Sequence, residues 1–266
     1  MGIINVTPDS FSGDGLLNPH LPCCPAALQK VHHFIGANVD ILDIGGESTR
    51  PGASLITAQE ELERVIPVIQ AIRSHYSIPI SIDTTKSVVA REALLAGATI
   101  INDVSGLMMD PEMADVAASH GVPVIINHAN LIEYDYDSSE EGSLRIMDRI
   151  LLELEALTIH AISRGIQRHN IIIDPGIGYG KTAEEDLTII KNLDHLKILG
   201  YPNLIGASRK KFIGATTHAS VDRRLAGSIA AAAIGAYKGA NIVRVHDVEE
   251  TVQAIRLIDA MREADA

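Results

Sequence analysis

The sequence predicts a (β/α)8 TIM barrel, a closed cylinder of eight parallel strands inside a ring of helices. Three observations carry this expectation. Short apolar runs recur eight times, at residues 3–6, 41–44, 80–82, 99–101, 124–126, 171–173, 204–205 and 242–245, and a helical pattern follows each of them. A polar group stands at the end of almost every run: Asn5, Asp43 with Glu47, Asp83, Asn102 with Asp103, Asn127 with His128, Asp174, Ser208 with Lys210, and Arg244 with His246. An open doubly wound sheet gathers its ligand groups at one switch point, whereas a barrel delivers them from every strand to one rim, so the even spread favours the barrel. Finally, the chain has 266 residues with no linker or low-complexity stretch, which makes residues 1–266 one domain of the size usual for eight βα units.

Taken in order, the first strand begins close to Met1, and no segment precedes it to plug the bottom of the barrel. The chain is therefore either cut from a longer polypeptide or a minimal form. After the second strand, Thr57-Ala58-Gln59-Glu60 reads as a capping box, with Leu62, Val65, Ile66, Ile69 and Ile72 as the buried stripe behind it. Pro67 lies inside that helix and should kink it. The acidic stretch 133–142 carries no recognisable chemistry and reads as a solvated loop; Met147, Ile150, Leu151, Leu154 and Leu157 then form one apolar stripe. Residues 171–173 are three isoleucines, suited to a strand covered on both faces. Residues 225–237, with Ala226, Ala230, Ala231, Ala232 and Ala233, should pack closely on the barrel or on a second subunit.

A net charge of -12 argues against nucleic acid and against an anionic membrane surface, both of which need a basic face. No apolar run is long enough to span a membrane, and no secretory leader is recognisable. The two cysteines, Cys23 and Cys24, are adjacent and fit a reducing cytoplasm better than a disulfide framework. The histidines show no metal-ligand spacing.

Four stretches carry the chemistry. Residues 174–182, DPGIGYGKT, look like a phosphate loop, but the Walker pattern needs glycine where Pro175 stands, and the dinucleotide fingerprint fails on spacing. A glycine turn that brings backbone close to a ligand is the better reading. Residues 43–52, DIGGESTRPG, and residues 7–15 have the composition of mobile loops, and Phe11 suits a lid over an aromatic substrate. Asp83, Asn102 and Asp174 would each be a helix cap if met alone; together they bring two carboxylates and an amide to one mouth, matching the donor edge of a 2-aminopyrimidinone, with Lys210 as the cation that balances them. Arg244 and His246 sit two apart in a strand and share a face, forming with Asn5 and Arg50 an anion site wide enough for a diphosphate; the alternative is an ion pair, with Asp247 as partner.

These motifs, GGESTRPG, DPG-x-G-x-GK and SRK ahead of RVHD, spread over nearly the whole chain, resemble the dihydropteroate synthase family. The resemblance implies a transferase of folate synthesis that joins 6-hydroxymethyl-7,8-dihydropterin diphosphate to 4-aminobenzoate. It implies that Asp83, Asn102, Asp174 and Lys210 hold the pterin, and that Asn5, Arg244 and His246 meet the diphosphate, with Mg2+ bridging near Asn5. Aminobenzoate would lie among Phe11, Thr49, Arg50, Pro51, Tyr179 and Lys211. The catalytic group would comprise Asp83, Lys210, Arg244, His246 and Asp14, in a sulfonamide-sensitive cytoplasmic homodimer. The chain departs from the family in several places. The acidic residue of the first loop is displaced by one position to Asp14, Tyr179 replaces the usual phenylalanine, Lys211 replaces a common serine, and Ala129-Asn130-Leu131 lacks the usual methionine and glycine. Two rivals remain at this point. A corrinoid-linked methyltransferase of the wider pterin-binding barrels has no need of Thr49, Arg50 or the Arg244/His246 pair, and a non-catalytic pterin scaffold is suggested only by the altered first loop.

Overall fold

A computed structural model describes residues 1–7, 25–48, 55–129 and 145–264. The acidic stretch 133–142 lies outside them. In chain order the elements are β1 (Gly2–Asn5), α1 (Pro25–Gly36), β2 (Leu42–Gly45), α2 (Ala58–Arg73), β3 (Ile80–Asp83), α3 (Ser87–Ala96), β4 (Ile100–Asp103), α4 (Met113–His120), β5 (Val124–Asn127) and α5 (Ile146–Ser163). They continue with β6 (Ile171–Asp174), α6 (Ala183–Lys191), β7 (Leu204–Ile205), α7 (Lys211–Thr217), α8 (Leu225–Lys238), β8 (Ile242–Val243) and α9 (Val248–Glu263).

Strands β1 to β6 pair in sequence order, all parallel, and β7 pairs with β8. Two single bridges join these sheets, Ile173 to Asn203 on one side and Gly2 to Val245 on the other. The second is reinforced by Ile3 N–H donating to Val245 O at 2.9 Å and Val245 N–H to Met1 O at 2.9 Å. The cylinder therefore closes, as the sequence predicts. The eighth strand is shorter than expected because the chain changes partner: Arg244 N–H still bonds Ile205 O, while Val245 has turned to β1.

Side chains alternate along each strand, so residues two apart share a face. Ile4, Ile44, Ile82, Ile101, Ile126 and Ile173 face outward into the main core, against Phe34 of α1, Val65 and Ile69 of α2, and Ile150 and Leu154 of α5. Each such burial contributes about 1.5–3 kcal/mol, which makes this layer the main source of cohesion. Met1, Ile100, Ile125 and Leu204 form a separate small cluster with Ile41, Ile172 and Ile242. It is the floor of the barrel, filled by these side chains. Two positions further along the same strands stand Asp43, Asn102, Asn127, Asp174 and Arg244, directly above that floor.

Helix ends follow the expected chemistry. Thr57 Oγ1 accepts from Glu60 N–H at 3.2 Å while Glu60 Oε2 accepts from Thr57 N–H at 2.8 Å, which is the predicted capping box. An equivalent box that sequence reading passed over, Thr182 with Glu185, starts α6. Helix α2 runs without a break through Pro67. Helix α8 packs on the barrel: a Cβ added to Gly235 would lie 2.0 Å from Ile205 Cδ1. No helix among the described residues is long and apolar enough to cross a membrane.

Candidate functional site

On the inner face of β2 and β3 and just past the end of β8, one guanidinium meets two carboxylates. Arg244 Nε donates to Asp43 Oδ2 at 2.6 Å and Nη2 donates to Asp83 Oδ2 at 2.5 Å. The Arg244 side chain is 15% exposed, Asp83 11% and Asp43 0%. Asn102, level with Asp83 on the neighbouring strand, places Nδ2 3.5 Å from each oxygen of Asp43. One cation between two buried acids leaves a net negative charge. Burial, opposed by Arg244 and reinforced by Asp43, Glu61 and Asp103, accordingly pushes Asp83 up to about 7. Burial alone would lower Arg244, but the Asp43 and Asp83 carboxylates outweigh it and hold the guanidinium above its ordinary value. Arg244 thus takes part in an ion pair, with partners other than the one weighed from sequence. Asp247 instead receives Arg209, whose Nε donates to it at 3.0 Å.

The ends of β5, β6 and β7 are arranged differently. Asp174 Oδ1 accepts from Gly176 N–H at 2.8 Å. Burial raises its pKa, and the Gly176 N–H, Lys210, Arg244 and Lys181 act against the rise. Lys210, expected as the balancing cation, turns its ammonium onto Ile177 O and lies 4.1 Å from the centre of the Tyr179 ring, so it acts on Asp174 through space. Lys181 donates to three carbonyls: His128 O at 3.0 Å, Gly176 O at 2.8 Å and Tyr179 O at 3.2 Å. Burial pushes both lysines down to about 8. The phosphate-loop reading therefore fails on geometry as well as on spacing, because the lysine ammonium is spent on backbone carbonyls of the loop and of the turn after β5. The glycines serve the same packing. Gly176 has φ +70°, and a Cβ there would lie 1.8 Å from His128 O.

His246 N–H donates to Ser208 Oγ at 3.2 Å, and its Nδ1 lies 3.0 Å from the same oxygen. Asn5 ends β1 half-buried, and Lys211 is exposed at the first position of α7. Phe11, Asp14, Thr49, Arg50 and Pro51 lie outside the described residues. Of the remaining expected residues, the fold brings Asn5, Asp83, Asn102, Asp174 and Arg244 to the strands' C-terminal side and Lys210 and His246 to the turns that follow β7 and β8, with Tyr179 over Lys210.

The sequence places Asp43, Glu47 and Asn127 after their strands but assigns them no ligand or partner, and it gives no role to Lys86. Lys86 Nζ lies 2.7 Å from Glu61 Oε2 and 2.8 Å from Glu47 Oε2, while Glu47 Oε1 accepts from Ile56 N–H at 2.8 Å. Strand alternation adds that Asp43 and Asn127 both fall on the inner face. Among the described residues no group of three or more His, Cys, Asp or Glu is placed to hold a metal ion.

The fold and rim define a parallel-barrel enzyme whose mouth presents acids, amides and cations from separate strands. A family model described as pterin binding enzyme matches residues 1–246. The chain is 44% identical to the dihydropteroate synthase of Clostridium beijerinckii, over 97% of this chain and 92% of that protein. Among solved structures, the Yersinia pestis dihydropteroate synthase in complex with a sulfonamide drug superposes with a TM-score of 0.89 at 37% identity, covering 99% of this chain and 94% of that one. The Xanthomonas albilineans enzyme with 4-aminobenzoic acid gives 0.88 at 38% identity, covering 98% and 92%. The chain belongs to the dihydropteroate synthase family.

Proposed function

We propose that this chain condenses 6-hydroxymethyl-7,8-dihydropterin diphosphate with 4-aminobenzoate, releasing diphosphate and forming 7,8-dihydropteroate for folate biosynthesis. The observation that supports it most is that Asp83 and Asp174 end their strands, and Asn102 stands one residue before the end of β4, on one inner face beside a half-buried guanidinium, a pattern of acceptors and charge that suits a heterocycle carrying a leaving anion. Asp83, Asn102, Asp174 and Lys210 read the pterin. Asn5, Arg244 and His246 receive the diphosphate. Aminobenzoate lies by Tyr179, with Phe11, Thr49, Arg50, Pro51 and Lys211 as its further contacts.

In this reading the bond between the pterin methylene and the diphosphate oxygen breaks, and the electron pair leaves with the diphosphate. Conjugation with the ring steadies the methylene cation until the aryl amine lone pair attacks, after which the amine loses a proton. The chain's task is electrostatic: Arg244 and Lys210 are set in a water-poor mouth where charge develops, and Asp14 steadies the cation. The donor set also fits Mg2+. A hard cation retains most of its water and needs one or two protein oxygens when phosphates supply the rest, and Asn5 offers such an oxygen at the end of β1. When bound, Mg2+ would neutralise charge on the leaving diphosphate. One domain over residues 1–266, a cytoplasmic location and a homodimer complete the reading. The last is supported by Ile234 and Tyr237, exposed apolar side chains on α8.

The test is incubation with both substrates and Mg2+, followed by measurement of dihydropteroate. Formation is expected, and Asp174→Ala is expected to abolish it together with pterin binding. Pterin binding without any product would replace this reading with that of a non-catalytic pterin scaffold.

A further inference from the structure

Among the described acids at the mouth, Asp43 stands apart in its depth. Its strand pairs it with Ser81, whereas Asp83 is level with Gly45, so Asp43 sits one layer nearer the barrel floor. It is fully buried, and the groups around its oxygens are Arg244 Nε at 2.6 Å and Asn102 Nδ2 at 3.5 Å. Asp83 holds the other end of the same guanidinium from the rim, through Nη2. A planar guanidinium gripped by Nε keeps its orientation, because the fork is rigid and Nε lies off the axis of the terminal nitrogens. Its Nη2 can then exchange partners without the side chain leaving its place. Asp83 is also the acid assigned above to the pterin, so substrate entry asks it to serve the heterocycle and Arg244 to serve the diphosphate.

We propose that Asp43 is a positioning residue that pins Arg244 from below, so that Nη2 passes from Asp83 to the substrate diphosphate while Asp83 turns to the pterin. This rests on the reaction proposed above. Asp43 touches neither ligand and acts through Arg244 alone. A purely structural role would weaken both ligands together; a positioning role separates them.

The experiment compares two dead-end ligands by calorimetry, inorganic diphosphate with Mg2+ and 6-hydroxymethylpterin, each binding one half of the site without turnover. Asp43→Asn is expected to weaken diphosphate about tenfold while pterin affinity stays within about twofold, the loss of one charge-assisted hydrogen bond. Arg244→Lys retains the cation and deletes Nε. It is expected to show the same split, and the double variant to add no more than about twofold to it, because the two changes remove one interaction. Unchanged diphosphate affinity, an equal loss of both ligands, or fully multiplicative losses in the double variant would overturn the proposal. If Asp43→Asn does not fold, the split in Arg244→Lys decides alone. Because neither ligand requires turnover, a wild-type chain that forms no dihydropteroate overturns the function and leaves the pivot separately tested.

Discussion

On the side of the mouth built by β2, β3 and β8, buried charges answer one another: Arg244 bridges Asp43 and Asp83 at 2.6 and 2.5 Å. On the side built by β5, β6 and β7 they are answered by backbone. Gly176 N–H meets Asp174, and the ammonium of Lys181 caps three carbonyls. The difference separates two tasks. A backbone cradle is set during folding and keeps its geometry when a ligand arrives, whereas a side-chain ion pair can be parted and shared with one. Ligand-dependent rearrangement should therefore centre on Arg244, and the glycine loop should stay still.

The largest expected effect comes from breaking the ion-paired side. Arg244→Met leaves Asp43 and Asp83 buried without a cation, and removing one member of a buried pair costs about 3–5 kcal/mol. Urea unfolding measures it; a loss below about 1 kcal/mol would mean that water already serves both acids.

The pH dependence sharpens the same side. Asp83 is raised from 3.8 to about 7 by burial, against the pull of Arg244. The folded chain thus holds a proton that the unfolded chain has released, so this group's stabilising contribution is complete below about pH 4 and disappears as pH rises to about 7. The slope it adds is at most about 1.4 kcal/mol per pH unit. Asp83→Asn should remove that slope from unfolding curves taken across the window, and an unchanged slope would assign the titration to Asp103 or Asp174, which burial also raises.

The barrel itself was legible in the sequence because it depends on local regularities, an apolar run and a polar terminus repeated eight times. The identity of the rim residues was legible for the same reason. Their pairings were not, because pairing depends on where distant strands bring their ends. Asp43 and Arg244 are 201 positions apart, and only closure of the barrel makes them neighbours. Lys181 shows the same limit from the other side. Its place after three glycines gave it no partner in the sequence, and its actual partners include a carbonyl just past the end of β5, 53 positions away. Proximity in the chain was informative for caps and turns, and silent about which cation met which acid.

On the backbone-answered side, Lys181→Met should cost about 1–3 kcal/mol, since it strips a charged donor from buried carbonyls and returns only apolar contact. Lys181→Arg tests whether charge suffices. A guanidinium cannot converge on three carbonyls as a compact ammonium does, so it should recover less than half of the loss. Full recovery by arginine would mean that the side chain serves Asp174 as a countercharge and not the loop as a staple.

The smallest effect lies at the far end of the same loop. Thr182 caps α6, and Asp186 in that first turn accepts from Gly178 N–H at 2.7 Å, so the helix start and the glycine turn are fastened together. Thr182→Ala should cost about 1 kcal/mol, as should Thr57→Ala at the start of α2, because each removes one capping oxygen from a box of the same design. The two should differ in hydrogen exchange. The Thr57 variant should raise exchange only in the first turn of α2, whereas the Thr182 variant should also raise it at Gly178, whose amide depends on Asp186 in the first turn of α6. Equal, purely helical effects would show that the loop is fixed by Lys181 and the strand end alone, and that α6 merely follows it.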